Sequence, residues 1–146
     1  MTVKKRADRQ MTGVAGEFFV AAELSKRGLH TAPTLGNAKD IDLLALNPET
    51  GRYFAVQVKA KRDRNGTFWF SHTNVNRTNT YVFVLINGVD EPVQYCIVPG
   101  GLLADEPERF GEMFTAPAEK KPGVHWKYLV REGFEGDWSV FGEVVA

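Results

Sequence analysis

The sequence is short of several things at once. It has one cysteine, no net charge (18 Lys and Arg against 18 Asp and Glu), and no apolar run near the roughly 20 residues that span a bilayer. The lone thiol, Cys96, cannot close an internal disulfide, and no Cys or His spacing matches a zinc site. A reducing cytoplasm is the expected setting, because Met1-Thr2-Val3-Lys4-Lys5-Arg6 also lacks the apolar centre of a signal peptide. His30, His72 and His125 stand apart from one another, so each reads as a surface or packed histidine rather than a ligand. The glycines form neither a phosphate-binding P-loop nor a dinucleotide fingerprint, and no Gly-x-Ser-x-Gly elbow occurs. These absences exclude disulfide scaffolds, zinc modules, nucleotide-cofactor enzymes and serine esterases as first readings.

What remains is an ordinary globular composition, 43% hydrophobic and 25% charged over 146 residues, expected to form one domain over 12–146 behind a flexible basic tail at 1–11. The balanced charge is segregated along the chain. Residues 1–80 hold 13 Lys and Arg against 7 Asp and Glu, whereas residues 81–146 hold 5 against 11. Such asymmetry points to a polyanion on one side of the molecule when the two halves map to different faces.

Thr12 to Lys26 reads as a helix, capped by Thr12 and stopped at Gly28, with Glu23 and Arg27 spaced for an ion pair. A short extended piece near Leu29 to Thr34 follows. Asp40 to Leu46 and Tyr53 to Lys61 read as two strands joined by a turn containing Pro48 and Gly51. Tyr81 to Ile86, continuously apolar, is expected at the centre of a sheet, and Tyr95 to Val98 forms a further strand. Pro107 to Phe114 is expected to hold a short helix, while Val124 to Ala146 shows no clear period.

Letting Pro48 face Gly51 fixes the hairpin register: Asp42 then opposes Gln57, and Asp40 opposes Lys59. By period two, Asp40, Asp42, Gln57, Lys59 and Lys61 share a sheet face. On the helix, Glu17 continues the stripe of Val20, Ala21 and Leu24, and a carboxylate there is costly unless exposed, paired or bound to a cation.

Together, Gly13-Val14-Ala15-Gly16-Glu17 opening a helix, Asp42 opening an apolar strand, and Gln57-Val58-Lys59 beyond it resemble the PD-(D/E)xK nuclease superfamily, closest in layout to its Holliday-junction-resolvase-type members. The resemblance covers roughly residues 12–100 and implies a restriction-endonuclease-like α/β core: an N-terminal helix, then a mixed β-sheet made of a strand hairpin plus two further strands, flanked by helices. It implies a metal-dependent endonuclease that hydrolyses DNA with Mg²⁺ or Mn²⁺ and uses no organic cofactor. Asp42, Glu17, Gln57 and the main-chain carbonyl of Val58 would ligate the metal, and Lys59 would act on the attacking water and on charge at the phosphate. Gln57 stands where most of the family has Glu, and Ile41 where it has Pro; Asp40 competes with Asp42, which is preferred because Leu43-Leu44-Ala45-Leu46 follows it directly.

Lys39, Lys61, Arg62, Arg64 and Arg77 lie near these acids in sequence and are expected to hold phosphates. Phe68-Trp69-Phe70 could stack on bases, but core packing is the commoner fate of such a cluster, so it receives no role. The small size favours structure-selective cutting, and a homodimer would let two sites act on two strands. Two rivals stand beside the nuclease: a nucleic-acid-binding module that has lost catalysis, motivated by Gln57, and an interaction subunit docking through its acidic C-terminal half.

Overall fold

The computed structural model describes residues 2–34, 40–63 and 65–142, with side chains of the first helix from Arg9 onward. That helix, α1, spans Thr2–Lys26. It therefore begins ten residues before the expected start, and residues 2–11, expected as a flexible tail, are helical. Lys, Arg, Ala and Gln in this stretch are all strong helix formers. Thr12 is consequently not a cap; it is buried within the helix, and its Oγ1 accepts a 2.8 Å bond from Arg62 Nε. The other end is as expected: Gly28 turns the chain with φ 94°, and Arg27 pairs with Glu23 at 3.4 Å.

Strands β1 (His30–Pro33), β2 (Leu43–Leu46) and β3 (Tyr53–Lys61) form an antiparallel meander. The excursion that follows contains β4 (Thr67–Trp69) and a 3₁₀ turn at His72–Asn74. The chain then returns as β5 (Thr80–Leu85), parallel to β3, and as β6 (Gln94–Pro99), antiparallel to β5. The result is an α/β protein whose mixed five-stranded sheet has the order β1-β2-β3-β5-β6. No α-helix occurs in the β3–β5 crossover among the described residues.

The sheet separates two cores. On one face Val20 and Leu24 of α1 pack on Leu43, Val56, Val82 and Ile97. The other face is covered by elements the sequence did not reveal: β4 pairs with β7 (Gly123–His125), and α3 (Trp126–Arg131) packs beside them around Phe68, Phe83, Phe114 and Leu129. The short helix expected at 107–114 is instead α2 (Gly100–Asp105) followed by two 3₁₀ turns, Pro107–Phe110 and Glu112–Thr115, broken by Gly111 at φ 97°.

The hairpin register agrees with the sequence. Leu43 opposes Val56 and Leu46 opposes Tyr53. Asn47 sets the turn: its Oδ1 accepts from the N–H groups of Glu49 and Thr50, and its buried Nδ2 donates to the carbonyl of Phe141 at 2.8 Å.

Candidate functional site

Strand β2 ends at Leu43, opposite Val56, while β3 continues for five residues more. Gln57–Lys61 therefore pair with β5 on one edge, and among the described residues no strand pairs with the other. The candidate site lies along this open edge.

Asp42 closes its near end. The Asp42 N–H donates to the Val56 carbonyl at 2.9 Å, and its Oδ2 accepts from the Val58 N–H at 2.7 Å, so the ladder stops at Leu43 and Val56, the expected pairing of Asp42 with Gln57 is not made, and the carboxylate is held at the backbone of Val58. Within a strand the N–H and C=O of one residue point to the same edge, so the Val58 carbonyl emerges on the Asp42 side. Asp40 does not join the ladder opposite Lys59. It sits at φ 63°, a left-handed conformation that a short polar residue tolerates. Its carbonyl accepts from Asn79 Nδ2 at 2.8 Å, and the next carbonyl, that of Ile41, accepts from Thr34 Oγ1 at 2.6 Å. The chain is thus bent away before the strand begins.

Glu17 reaches Asp42 from the helix because α1 approaches β3 closely at its neighbour. A Cβ added to Gly16 would lie 2.5 Å from the Ala60 Cβ. The Glu17 side chain hydrogen-bonds Asp42, and its pKa is pushed up to about 7, first by desolvation, then by that hydrogen bond and by the Asp42 charge. Two carboxyl groups this close repel one another when both are charged, which favours the protonated form of Glu17.

Lys59 lies on the opposite face of β3 from Val58 and Ala60, which pack on the α1 side. Its ammonium stands 4.7 Å over the Phe70 ring. Burial pushes its pKa down, against the pull of Asp42 and then Asp40. Glu17 and Lys59 thus approach from different sides of the sheet, and Asp42 interacts with both. The five polar residues expected on one face are accordingly divided: Gln57, Lys59 and Lys61 alternate together, Asp42 sits at the ladder's end, and Asp40 is exposed outside it.

Gln57 Oε1 is buried and has no hydrogen-bond partner. A buried orphan of this kind asks for a missing partner. Among the described residues no group of three or more His, Cys, Asp or Glu could hold a metal ion. Any donor set here therefore rests on the two carboxylates together with amide and main-chain oxygens.

Beyond Lys59 the edge opens into a cleft of about 630 Å³. Arg9 of α1 and Lys59, Lys61 and Arg62 of β3 and its extension line it, against the single acid Asp63. Among the described residues Arg9, Lys61 and Arg62 make no ion pair. Lys61 and Arg62 thus stand together in this cleft. Arg77 does not join them: its guanidinium is paired with Asp105, away from the cleft. Lys39 and Arg64 lie outside the described residues.

Sequence reasoning missed Arg9, assigned to the tail, and Trp69, which lines the cleft with 55% of its surface exposed while Phe68 and Phe70 face the core. The pairing of 67–69 with 123–125 is what separates them, and no pattern within three residues of sequence could have shown it. It also missed Asn79, whose buried Oδ1 lacks a hydrogen-bond partner beside the Asp40 turn. The remaining candidates are structural: Cys96 is fully buried with its thiol pKa pushed up by desolvation, His125 caps α3, and His72 Nδ1 contacts the Phe114 carbonyl. Set against family models, curated proteins and solved structures, the chain matches none, so the site stands on its own geometry.

Proposed function

We propose that this protein is a divalent-metal-dependent nuclease of the PD-(D/E)xK type acting on DNA. The observation that carries the reading is the approach of Glu17 to Asp42, two acids from separate elements whose mutual repulsion adds to burial in raising the Glu17 pKa, beside the backbone-held Asp42 carboxylate and the orphaned Gln57 Oε1. A divalent cation would relieve the same repulsion. The donor chemistry fits Mg²⁺ or Mn²⁺: the Asp42 and Glu17 carboxylates, the orphaned Gln57 Oε1 and the Val58 carbonyl are all hard oxygen ligands. When bound, the ion supplies the positive charge that phosphodiester hydrolysis needs on the phosphate.

The chain's own residues supply the rest. The Val58 N–H fixes the Asp42 carboxylate in one orientation. Lys59, partly desolvated between the acids and the cleft, is a softened ammonium able to orient the attacking water and to stabilise charge at the phosphate. Lys61, Arg62 and Arg9 draw the polyanion into the cleft.

A panel of single-stranded, duplex, flapped and four-way DNA, with RNA as a further arm, tests the activity in Mg²⁺, Mn²⁺ and EDTA. Cleavage that needs the metal is expected, and no cleavage of any substrate in either metal overturns the reading. Calorimetry with Mn²⁺ tests the donors: Asp42→Ala should abolish the heat of binding and Asp40→Ala should leave it. The reverse result would move the site to Asp40. A catalytically silent nucleic-acid-binding module is the second reading, favoured by the neutral Gln57; DNA binding without turnover would select it.

A further inference from the structure

We infer that Trp69 is a base-stacking platform, and that the nucleic acid taken by the cleft presents an unpaired strand there. The inference rests on the nucleic-acid reading of the cleft but does not require that the site cut.

Trp69 is the last residue of the three-residue strand β4, and the residues on either side of it, Phe68 and Phe70, both serve the core. Phe68 is buried against Phe83 and Trp126, and Phe70 packs on Tyr81, Phe83 and Phe114. Nothing in the core needs a third aromatic between them, and Trp69 turns outward. Its place in the ladder is opposite Gly123, which brings no side chain across. A Cβ on Gly123 would fall 3.1 Å from the Trp69 Cε3, so the indole is laid over the bare glycine backbone. One side of the ring is thereby seated, while more than half of the residue's surface stays exposed.

The ring stands where two depressions meet. On one side is the basic cleft with Lys59 and Lys61; on the other is a second hollow of about 500 Å³ that reaches Asn74 and Lys121. A strand leaving the cleft would pass over the indole toward another cation. Flat apolar surface between cations suits an unpaired nucleotide, whose base offers a π-face and whose phosphates offer charge. In a duplex the bases are stacked on one another, which leaves Trp69 no face to engage.

The test is carried out in EDTA, so that binding is read without cleavage. Titrating the protein with a dT12 oligonucleotide, and separately with a 12-base-pair duplex, should quench tryptophan emission for the single strand. Trp126 is buried and Trp138 partly so, which leaves Trp69 as the reporter. Trp69→Ala should weaken dT12 binding by about tenfold and leave duplex binding within about twofold, whereas Trp69→Phe should keep most of the single-strand affinity. An unchanged melting temperature in both variants shows that the fold is intact. Equal dT12 affinity for wild type and Trp69→Ala overturns the inference, as does failure of wild type to bind dT12. If Mn²⁺ produces no cleavage while dT12 binding depends on Trp69, the nuclease reading fails and the stacking platform stands; cleavage with no effect of Trp69→Ala is the converse.

Discussion

Strands β3 and β5 lie side by side and parallel near the middle of one sheet, yet they are built differently. All six residues of β5 are buried, Tyr81, Phe83 and Leu85 toward one core and Val82 and Val84 toward the other. A central strand with both faces covered is expected to be continuously apolar. On β3 only the face toward α1 obeys, with Phe54, Val56, Val58 and Ala60. Its other face sets Gln57 beside Tyr81, Lys59 beside Phe83 and Lys61 beside Leu85. Each polar side chain thus occupies a position whose neighbour is an apolar core residue. Gln57 keeps an unpaired buried oxygen, and Lys59 is desolvated enough to lower its pKa. Polar groups so placed cost stability, and the difference between the strands marks which positions serve something other than folding.

The largest effect that would break this contrast is on catalysis. Lys59→Met should lower the rate of metal-dependent cleavage by on the order of 100-fold or more, with the melting temperature unchanged or raised. A variant that unfolds instead would show that Lys59 is structural. The apolar face should respond in the opposite sense. Gly16→Ala forces a methyl against the Ala60 Cβ, and chemical denaturation should show a loss of about 1–3 kcal/mol.

A smaller effect sharpens the role of Gln57. Gln57→Glu adds a carboxylate beside Asp42, so Mn²⁺ affinity measured by calorimetry should rise several-fold, while the metal-free protein should melt lower. Unchanged affinity would place Gln57 away from the ion. The smallest effect is a slope. Glu17 has a folded pKa of about 7, above its ordinary 4.5, so between those values the folded chain holds a proton that the unfolded chain releases. In EDTA, stability should therefore decline as pH rises from about 4.5 to 7 and then level off. Glu17→Gln should flatten that decline and melt higher than wild type at pH 8.

Much of this arrangement was legible in the sequence because strong local rules set it. Pro48 and Gly51 set a turn whose register holds from Leu46 opposite Tyr53 to Leu43 opposite Val56, though not on to Asp42, and the 3.6-residue period of Val20, Ala21 and Leu24 marks the buried face of α1. The start of α1 was not legible, since the helix begins without relying on Thr12 as a cap. Strands of three residues, β4 and β7, are too short to show an alternation, and their pairing joins positions 67–69 to 123–125. With β4 hidden, the exposure of Trp69 was hidden too. The position of Arg77 was not legible for a related reason: nearness in sequence to the acids says nothing of Asp105, with which it pairs outside the cleft.

The bond from Asn47 to the Phe141 carbonyl crosses 94 positions of the chain. It joins the turn that sets the hairpin register to the 3₁₀ turn at Trp138–Phe141, where Phe141 also packs edge-on against Phe54 of β3. Long-range contacts of this kind form late, because the intervening loop must close before they stabilise anything. As the polypeptide leaves the ribosome, the hairpin that leads into Asp42 and Gln57 is complete in sequence long before its anchor exists. The latch on the hairpin thus waits for residue 141, and a nascent chain that stops short of it would carry Asp42 in an unlatched hairpin.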